Sequence, residues 1–174
     1  MKLFYALTFS QASKDKLYKI SQAIKPLTER GSMTHRENFH LTLEFIGQVN
    51  KDQVKDYSDI IKHLELQLSH LTVKEVSTFK KKNRYVLWLG VEEKDSLNHL
   101  NKQLRRHLEL KGLKKEFIPN VPHITLARNT IIKDEIKIDP ISIEIESIAL
   151  MISHRVKDKL VYEPLQYNVN NNRP

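Results

Sequence analysis

The chain has 174 residues, 40% hydrophobic side chains, no cysteine and a formal charge of +8. That length and apolar fraction suffice for one domain or two small intimate lobes, and the missing cysteine excludes disulfides, a thiolate nucleophile and a Cys-based zinc site. The excess of positive charge points to an anionic partner, and no apolar run reaches the ~18 residues that a membrane span needs.

Residues 3–9 are apolar and aromatic and read as a first, buried strand. The run resembles a very short signal peptide, but it soon meets Gln11, Lys14 and Asp15, and no small-residue cleavage site follows. Together with the absence of cysteine, this fits the cytoplasm. Residues 12–29 show helical spacing, with Leu17, Ile20, Ile24 and Leu27 on one stripe. Pro26 should kink or shorten the last turn. A polar loop with Gly31 leads into a strand at 39–46, which Gly47 ends. Residues 51–68 read as a second helix, with Val54, Tyr57, Ile61, Leu64 and Leu68 inward.

Strands at 71–79 and 84–91 flank Lys80-Lys81-Lys82-Asn83, a basic turn that reads as a hairpin. A third helix is expected over 94–111, with Leu97, Leu100, Leu104 and Leu108 inward and Gly112 just past its end. Pro119 and Pro122 bracket the entry to a strand at 123–128. Two late strands, 141–152 and 160–167, are joined by Lys157-Asp158-Lys159, and a polar tail at 168–174 is expected to fray. The order βαβαββαβββ argues for an α+β protein with mostly antiparallel sheet, one domain over 1–174. There is no Gly-rich phosphate loop, no His-Glu-x-x-His and no serine elbow. No spacing argues for a metal.

One pattern stands out along this walk. His40-Leu41-Thr42-Leu43 returns as His123-Ile124-Thr125-Leu126, 83 residues later. The composition predicts roughly 0.05 copies of His-x-Thr-Leu per shuffled chain. In a strand, residues i and i+2 share a face. His40 and Thr42 therefore look one way, as do His123 and Thr125. Phe39, Leu41, Leu43 and Phe45 form an apolar row behind the first pair, Ile124 and Leu126 behind the second. Two such strands related by a pseudo-two-fold axis would aim both imidazoles and both hydroxyls into one cleft. A single histidine on such a face is usually just solvated; converging titratable groups are the sign of an acid–base site.

The other candidates get plainer readings. Phe4, Phe9 and Phe45 could stack on a nucleobase but read first as core, as does Trp88. His63, His99 and His107 lie on expected helices beside charged residues, and His35 and His70 at loop edges. His154 stands between Ser153 and Arg155 without an assigned role. The clusters Lys80-Lys81-Lys82/Arg84, Arg105-Arg106 and Lys114-Lys115 are solvated faces or guides for RNA.

At the two motifs the chain resembles the 2H phosphoesterase superfamily, and within it the RNA 2′,3′-cyclic phosphodiesterases historically called 2′-5′ RNA ligases. Leu3-Phe4-Tyr5-Ala6-Leu7 matches the opening strand. Glu37 to Gly47 follows the first-motif region, Val86-Leu87-Trp88-Leu89-Gly90-Val91 the central strand, and Pro122-His123-Ile124-Thr125-Leu126-Ala127-Arg128 the second-motif block. Ser10-Gln11 replaces the usual Pro after the first strand, the late hairpin lacks the usual Gly, and the approach 117–121 to the second motif is longer than typical.

The resemblance implies a bilobal fold, two mostly antiparallel sheets related by a pseudo-two-fold, with helices outside and a central cleft. It implies opening of a 2′,3′-cyclic phosphate at an RNA 3′ end to a 2′-phosphate. It makes His40 the proton donor and His123 the proton acceptor, roles that the near-identical tetrapeptides do not themselves distinguish. Thr42 and Thr125 would hydrogen-bond the non-bridging oxygens. Arg128 is a weaker phosphate clamp, because strict alternation places it on the Ile124/Leu126 face. No metal and no other cofactor is required. The expected partner is RNA with a 2′,3′-cyclic phosphate or a 2′-5′ linkage, met by a monomer without membrane attachment. The alternatives are another 2H phosphodiesterase, acting on 2′-5′ oligonucleotides or small cyclic nucleotides, and a non-catalytic RNA- or nucleotide-binding module.

Overall fold

A computed structural model describes residues 1–114 and 116–169. Its elements are β1 (Lys2–Phe9), α1 (Gln11–Ile24), β2 (Thr28–Glu29), β3 (Ser32–Met33), β4 (Leu41–Gln48), α2 (Val54–Ile60), β5 (His70–Lys81), β6 (Arg84–Val91), α3 (Lys94–Leu110), β7 (His123–Ile132), β8 (Ile141–Val156) and β9 (Lys159–Val169). Of the tail expected to fray, Asn168 and Val169 still belong to β9; 170–174 lie outside the described residues, as does Lys115.

The local signals explain most boundaries. Ser10 caps α1, its hydroxyl accepting from the Ser13 N–H at 3.2 Å. Pro26 sits in a tight 3₁₀ turn, Lys25–Leu27, that ends the helix five residues before the expected limit. Thr28 and Glu29 then pair with Ile132 and Ile131 of β7. Gly112 ends α3 at φ 66°. Its N–H donates to the Glu109 carbonyl and that of Leu113 to the Leu108 carbonyl, both at 2.9 Å, the double closure of a Schellman cap.

The second helix is much shorter than 51–68. Only Val54–Ile60 is α-helical, between 3₁₀ turns at Lys51–Gln53 and Ile61–His63. Beyond it Leu64, Leu66 and Leu68 turn toward the core while Glu65 and Gln67 do not. This is a period of two, so Leu-Glu-Leu-Gln-Leu is extended chain even though Leu64 and Leu68 also fit a helical stripe.

Two lobes share one antiparallel sheet. In the first, β4 pairs β1, β1 pairs β8 and β8 pairs β9. In the second, β7 pairs β6, and β6 pairs β5. The lobes are joined twice. β8 serves both, with Ile141–Glu144 against β5 and Ile145–Ser153 against β1. The second join is a single bridge, Leu41 to Ile124, between the two motif strands. Leu41 and Ile124 are equivalent positions of the repeat, so an antiparallel bridge between them lies on a local two-fold axis. A continuous cluster of buried residues underlies both lobes, with the inward leucines of α3 part of it. Among the described residues no helix is long and apolar enough to cross a membrane.

Candidate active site

The Leu41–Ile124 bridge fixes the register of everything polar around it. It sets His40 opposite Thr125 and His123 opposite Thr42. The linings of two cavities follow this exchange. One, of about 330 Å³, is lined by His40, Thr125, Arg128 and Tyr162. The other, of about 490 Å³, is lined by Thr42, His123, Asn120 and Phe45. Each motif thus supplies the histidine of one cavity and the hydroxyl of the other.

Both imidazoles are anchored alike. Nδ1 of His40 lies 2.7 Å from the Asn38 carbonyl, and Nδ1 of His123 lies 2.6 Å from the Val121 carbonyl. A carbonyl only accepts, so each Nδ1 carries the proton and donates it. Nε2 is then the nitrogen left to exchange a proton with a substrate. On His40 the neutral Nε2 accepts from the Thr42 hydroxyl at 3.1 Å. That contact bears out the shared face of His40 and Thr42.

The two surroundings differ. His40 sits between Phe4 and Tyr162, with ring centroids at 5.1 and 4.9 Å. His123 lies beside Phe79 and Trp88, with ring centroids at 5.1 and 5.8 Å. Burial is the first cause that lowers both histidines below 6.5, opposed by the bond from Nδ1. The positive field of Arg128 lowers both further, and His123 adds to the effect on His40. His40 is pushed down to about 4.

Arg128 is therefore on the cleft side, against strict alternation. The cause is a β-bulge. Thr125 faces Trp88 and Ala127 faces Leu87, which leaves Leu126 as an extra residue on β7. Leu126 and Ala127 both turn into the core, and Arg128 returns to the histidine face. Gly31 supports the bulge from outside: its φ is +79°, and a Cβ there would lie 2.4 Å from the Arg128 carbonyl oxygen.

The first motif carries the same bulge. Ala6 faces Thr42 and Tyr5 faces Glu44, leaving Leu43 extra. Phe45 thereby leaves the apolar row expected of it and stands 48% exposed, at the position equivalent to Arg128. Carbonyls around this bulge find side-chain donors. Asn120 donates to the Thr42 carbonyl at 3.2 Å, Asn101 to that of Leu43 at 2.6 Å, and Lys114 to that of Phe45. Glu44, turned inward, is held by Arg105 at 2.8 Å and Lys114 at 2.7 Å.

Other expectations shift as well. Phe9 is core, but Phe4 lines the His40 side and Trp88 stacks on Phe79 at 4.8 Å beside His123. His154 lies 3.6 Å from Glu163, and His63 stacks on His107. Three contributors escaped sequence reasoning. Asn38 donates to the Leu160 carbonyl at 2.8 Å and accepts from the Tyr162 N–H at 3.3 Å. It thereby ties β9, and the Tyr162 ring, to the residue whose carbonyl orients His40. Tyr162 lay in an ordinary late strand, and only its pairing opposite Ser153 explains its place. Asn120 carried no signal beyond standing three residues before His123. Among the described residues, no three His, Asp or Glu side chains converge as a set of metal ligands.

Comparison with known proteins agrees with this geometry. The LigT-like phosphoesterase family model matches twice, over residues 7–88 and 89–162. Each copy holds one His-x-Thr-Leu motif at nearly the same depth. An RNA 2′,3′-cyclic phosphodiesterase of Thermotoga maritima is 35% identical over 137 residues, 74% of this chain and 70% of that one. A protein of the same name from Methanocaldococcus jannaschii is 27% identical over 139 residues, 79% and 77% of the two chains. Among solved structures, E. coli LigT complexed with 3′-AMP superposes with a TM-score of 0.75 at 23% identity, covering 98% of each chain. A Thermus thermophilus protein gives 0.74 at 24% identity, covering 97% of each. The family model's two matches divide the chain as the repeated motif does: the chain belongs to the LigT-like phosphoesterase family.

Proposed function

We propose that this protein opens 2′,3′-cyclic phosphates at RNA 3′ ends, without a metal, leaving a 2′-phosphate and a free 3′-OH. The observation that carries the reading is the pair of imidazoles anchored through Nδ1, each leaving Nε2 as the nitrogen that can exchange a proton, with the charge of Arg128 acting on both. The names of the curated relatives support the substrate class. In this mechanism His123 Nε2 takes a proton from water as its oxygen attacks phosphorus. The bond from phosphorus to the ribose 3′-oxygen breaks, and His40 Nε2 protonates that oxygen. The cycle closes when the two imidazoles exchange protons with solvent.

The division of roles follows the resemblance; His40, buried and in the field of Arg128, is a strong acid once protonated. Arg128 and the hydroxyls of Thr42 and Thr125 hold the non-bridging oxygens, where charge accumulates. The bound anion offsets the field of Arg128, and so favours the protonated imidazole that the free site resists. The protein acts as a single-domain monomer in the cytoplasm. A second substrate class has one observation in its favour. The cavity beside His123 and Thr42 has room for a second ribose, which a 2′-5′ linked oligonucleotide requires.

The test is incubation with an RNA ending in a 2′,3′-cyclic phosphate, with and without EDTA, and identification of the product. A 2′-phosphate formed at equal rates in both is expected. A 3′-phosphate would place the leaving oxygen at the other ribose position, and loss in EDTA would overturn the metal-free mechanism.

A further inference from the structure

The motif repeat makes the cleft symmetric at its floor, but the walls above the two histidines carry different chemistry. Above His40, Tyr162 faces Ser153 in the β8–β9 pairing and touches the imidazole. One row further out on the same face, Leu160 faces Arg155, and Lys159 follows at the turn. Arg155, Lys159 and Leu160 line the same cavity as His40, Thr125, Arg128 and Tyr162. That cavity therefore runs unbroken from the phosphate clamp, past an aromatic wall, to two cations. Among the described residues neither Arg155 nor Lys159 has an ion-pair partner. Asp158 is the one acid among the described residues that line the cavity, and its backbone carbonyl accepts from Arg155 at 2.9 Å.

Above His123 the plan is similar but interrupted. Phe79 faces Val86, and one row further out Lys81 faces Arg84. These cations stand on the same side as Phe79 and Trp88. Yet, among the described residues, the cavity lined by His123 and Thr42 does not include these cations. Its walls are Phe45, Ile46, Ile118 and Pro119, on the opposite flank of the imidazole.

In-line displacement adds the deciding step. The attacking water and the leaving 3′-oxygen stand on opposite sides of phosphorus, so the ribose lies on the side of the proton donor. We infer that the RNA leaves the cleft on the His40 side, its terminal nucleoside against Tyr162, with Arg155 and Lys159 holding the first internal phosphate. This rests on the cyclic phosphodiesterase reading above, and on its choice of His40 as donor. The site then recognises an oligoribonucleotide end rather than a free cyclic mononucleotide, because only the former has an internal phosphate for the two cations.

The experiment compares kcat/KM for a cyclic mononucleotide with that for a short oligoribonucleotide ending in the same cyclic nucleotide. In wild type the oligonucleotide is preferred, and the preference weakens as salt rises. The double variant Arg155→Glu/Lys159→Glu lowers the oligonucleotide-to-mononucleotide ratio about ten-fold or more. Arg155→Gln/Lys159→Gln lowers it less and guards against misfolding, monitored by circular dichroism. Lys81→Glu/Arg84→Glu moves the ratio by less than about two-fold, beyond a small salt-sensitive change. An unchanged ratio in both Arg155/Lys159 variants overturns the inference. So does an equal or larger fall in the Lys81/Arg84 variant, which would put the RNA on the His123 side. A wild type that opens neither substrate would instead sink the cyclic phosphodiesterase reading itself.

Discussion

The two motif strands are near copies in backbone and different in chemistry. Both begin with a histidine tied to the carbonyl two residues upstream, both bulge at the residue after threonine, and they meet at Leu41 and Ile124. Past the bulge they diverge. The first strand turns Glu44 inward and Phe45 outward; the second turns in Ala127 and presents Arg128. The flanks use different residues in a similar geometry: Phe4 and Tyr162 stand beside His40, Phe79 and Trp88 beside His123, with one near-perpendicular ring contact on each. A duplicated strand thus gives two imidazoles the same backbone geometry, and residues outside the repeated letters give them different surroundings.

The largest effects come from removing the symmetric part. His40→Ala and His123→Ala should each lower kcat for cyclic-phosphate opening by about 10²–10⁴-fold or more, with the fold intact by circular dichroism. The double variant should be little worse than either single one, because the two groups act in the same step. Near-wild-type turnover in either single variant would remove that histidine from the reaction.

The next effect comes from the asymmetric position after each bulge. Arg128→Ala should cost about 10²–10³-fold in kcat/KM, the scale for losing one preorganised charge-stabilising donor. Phe45→Ala, at the equivalent place on the other strand, should cost roughly ten-fold or less, since Phe45 offers contact area but no charge. Steady-state kinetics on one RNA substrate checks both. Equal losses would mean that the two positions share a role and that the asymmetry of the strands lies elsewhere.

The sequence made the repeat, its strand character and the faces of His40 and Thr42 legible, because period two needs only the order of residues. It made the three helices legible where leucine spacing was unambiguous, as in α3. It failed where two periods overlap, at Leu64 to Leu68, and where one extra residue breaks alternation. A β-bulge leaves no letter in the sequence, so Arg128 looked misplaced and Phe45 looked like core. The consecutive inward pair Leu43-Glu44 was the available hint: a carboxylate beside a core leucine makes sense once Arg105 and Lys114 reach it from α3 and the segment beyond. Tyr162 and Asn38 depend on β9 returning beside the first motif, a contact 122 residues apart that local patterns do not encode.

The smallest effects are in pH, and they sharpen the inequality between the two histidines. Burial and Arg128 hold both below 6.5, His40 at about 4. The productive form needs His40 protonated and His123 neutral, while the singly protonated free enzyme favours the reverse. The profile of kcat/KM should therefore be a bell lying wholly below about pH 6.5, with its limbs belonging to the pair rather than to one residue. In the kcat profile both limbs should lie higher, because bound phosphate favours imidazolium. Arg128→Ala removes a cation that opposes protonation, so it should move both limbs of the kcat/KM profile upward. Stability should change with the same sign. A histidine depressed in the fold takes up protons more readily when unfolded, so stability is full above pH 6.5 and falls as pH drops toward 4. For His40 the loss is of order 1–3 kcal/mol. Thermal unfolding between pH 7 and 4 should show a steeper decline in wild type than in His40→Gln. Parallel declines, or an alkaline limb of kcat/KM well above 6.5, would mean that the enclosure by Phe4 and Tyr162 does not set the acidity of His40.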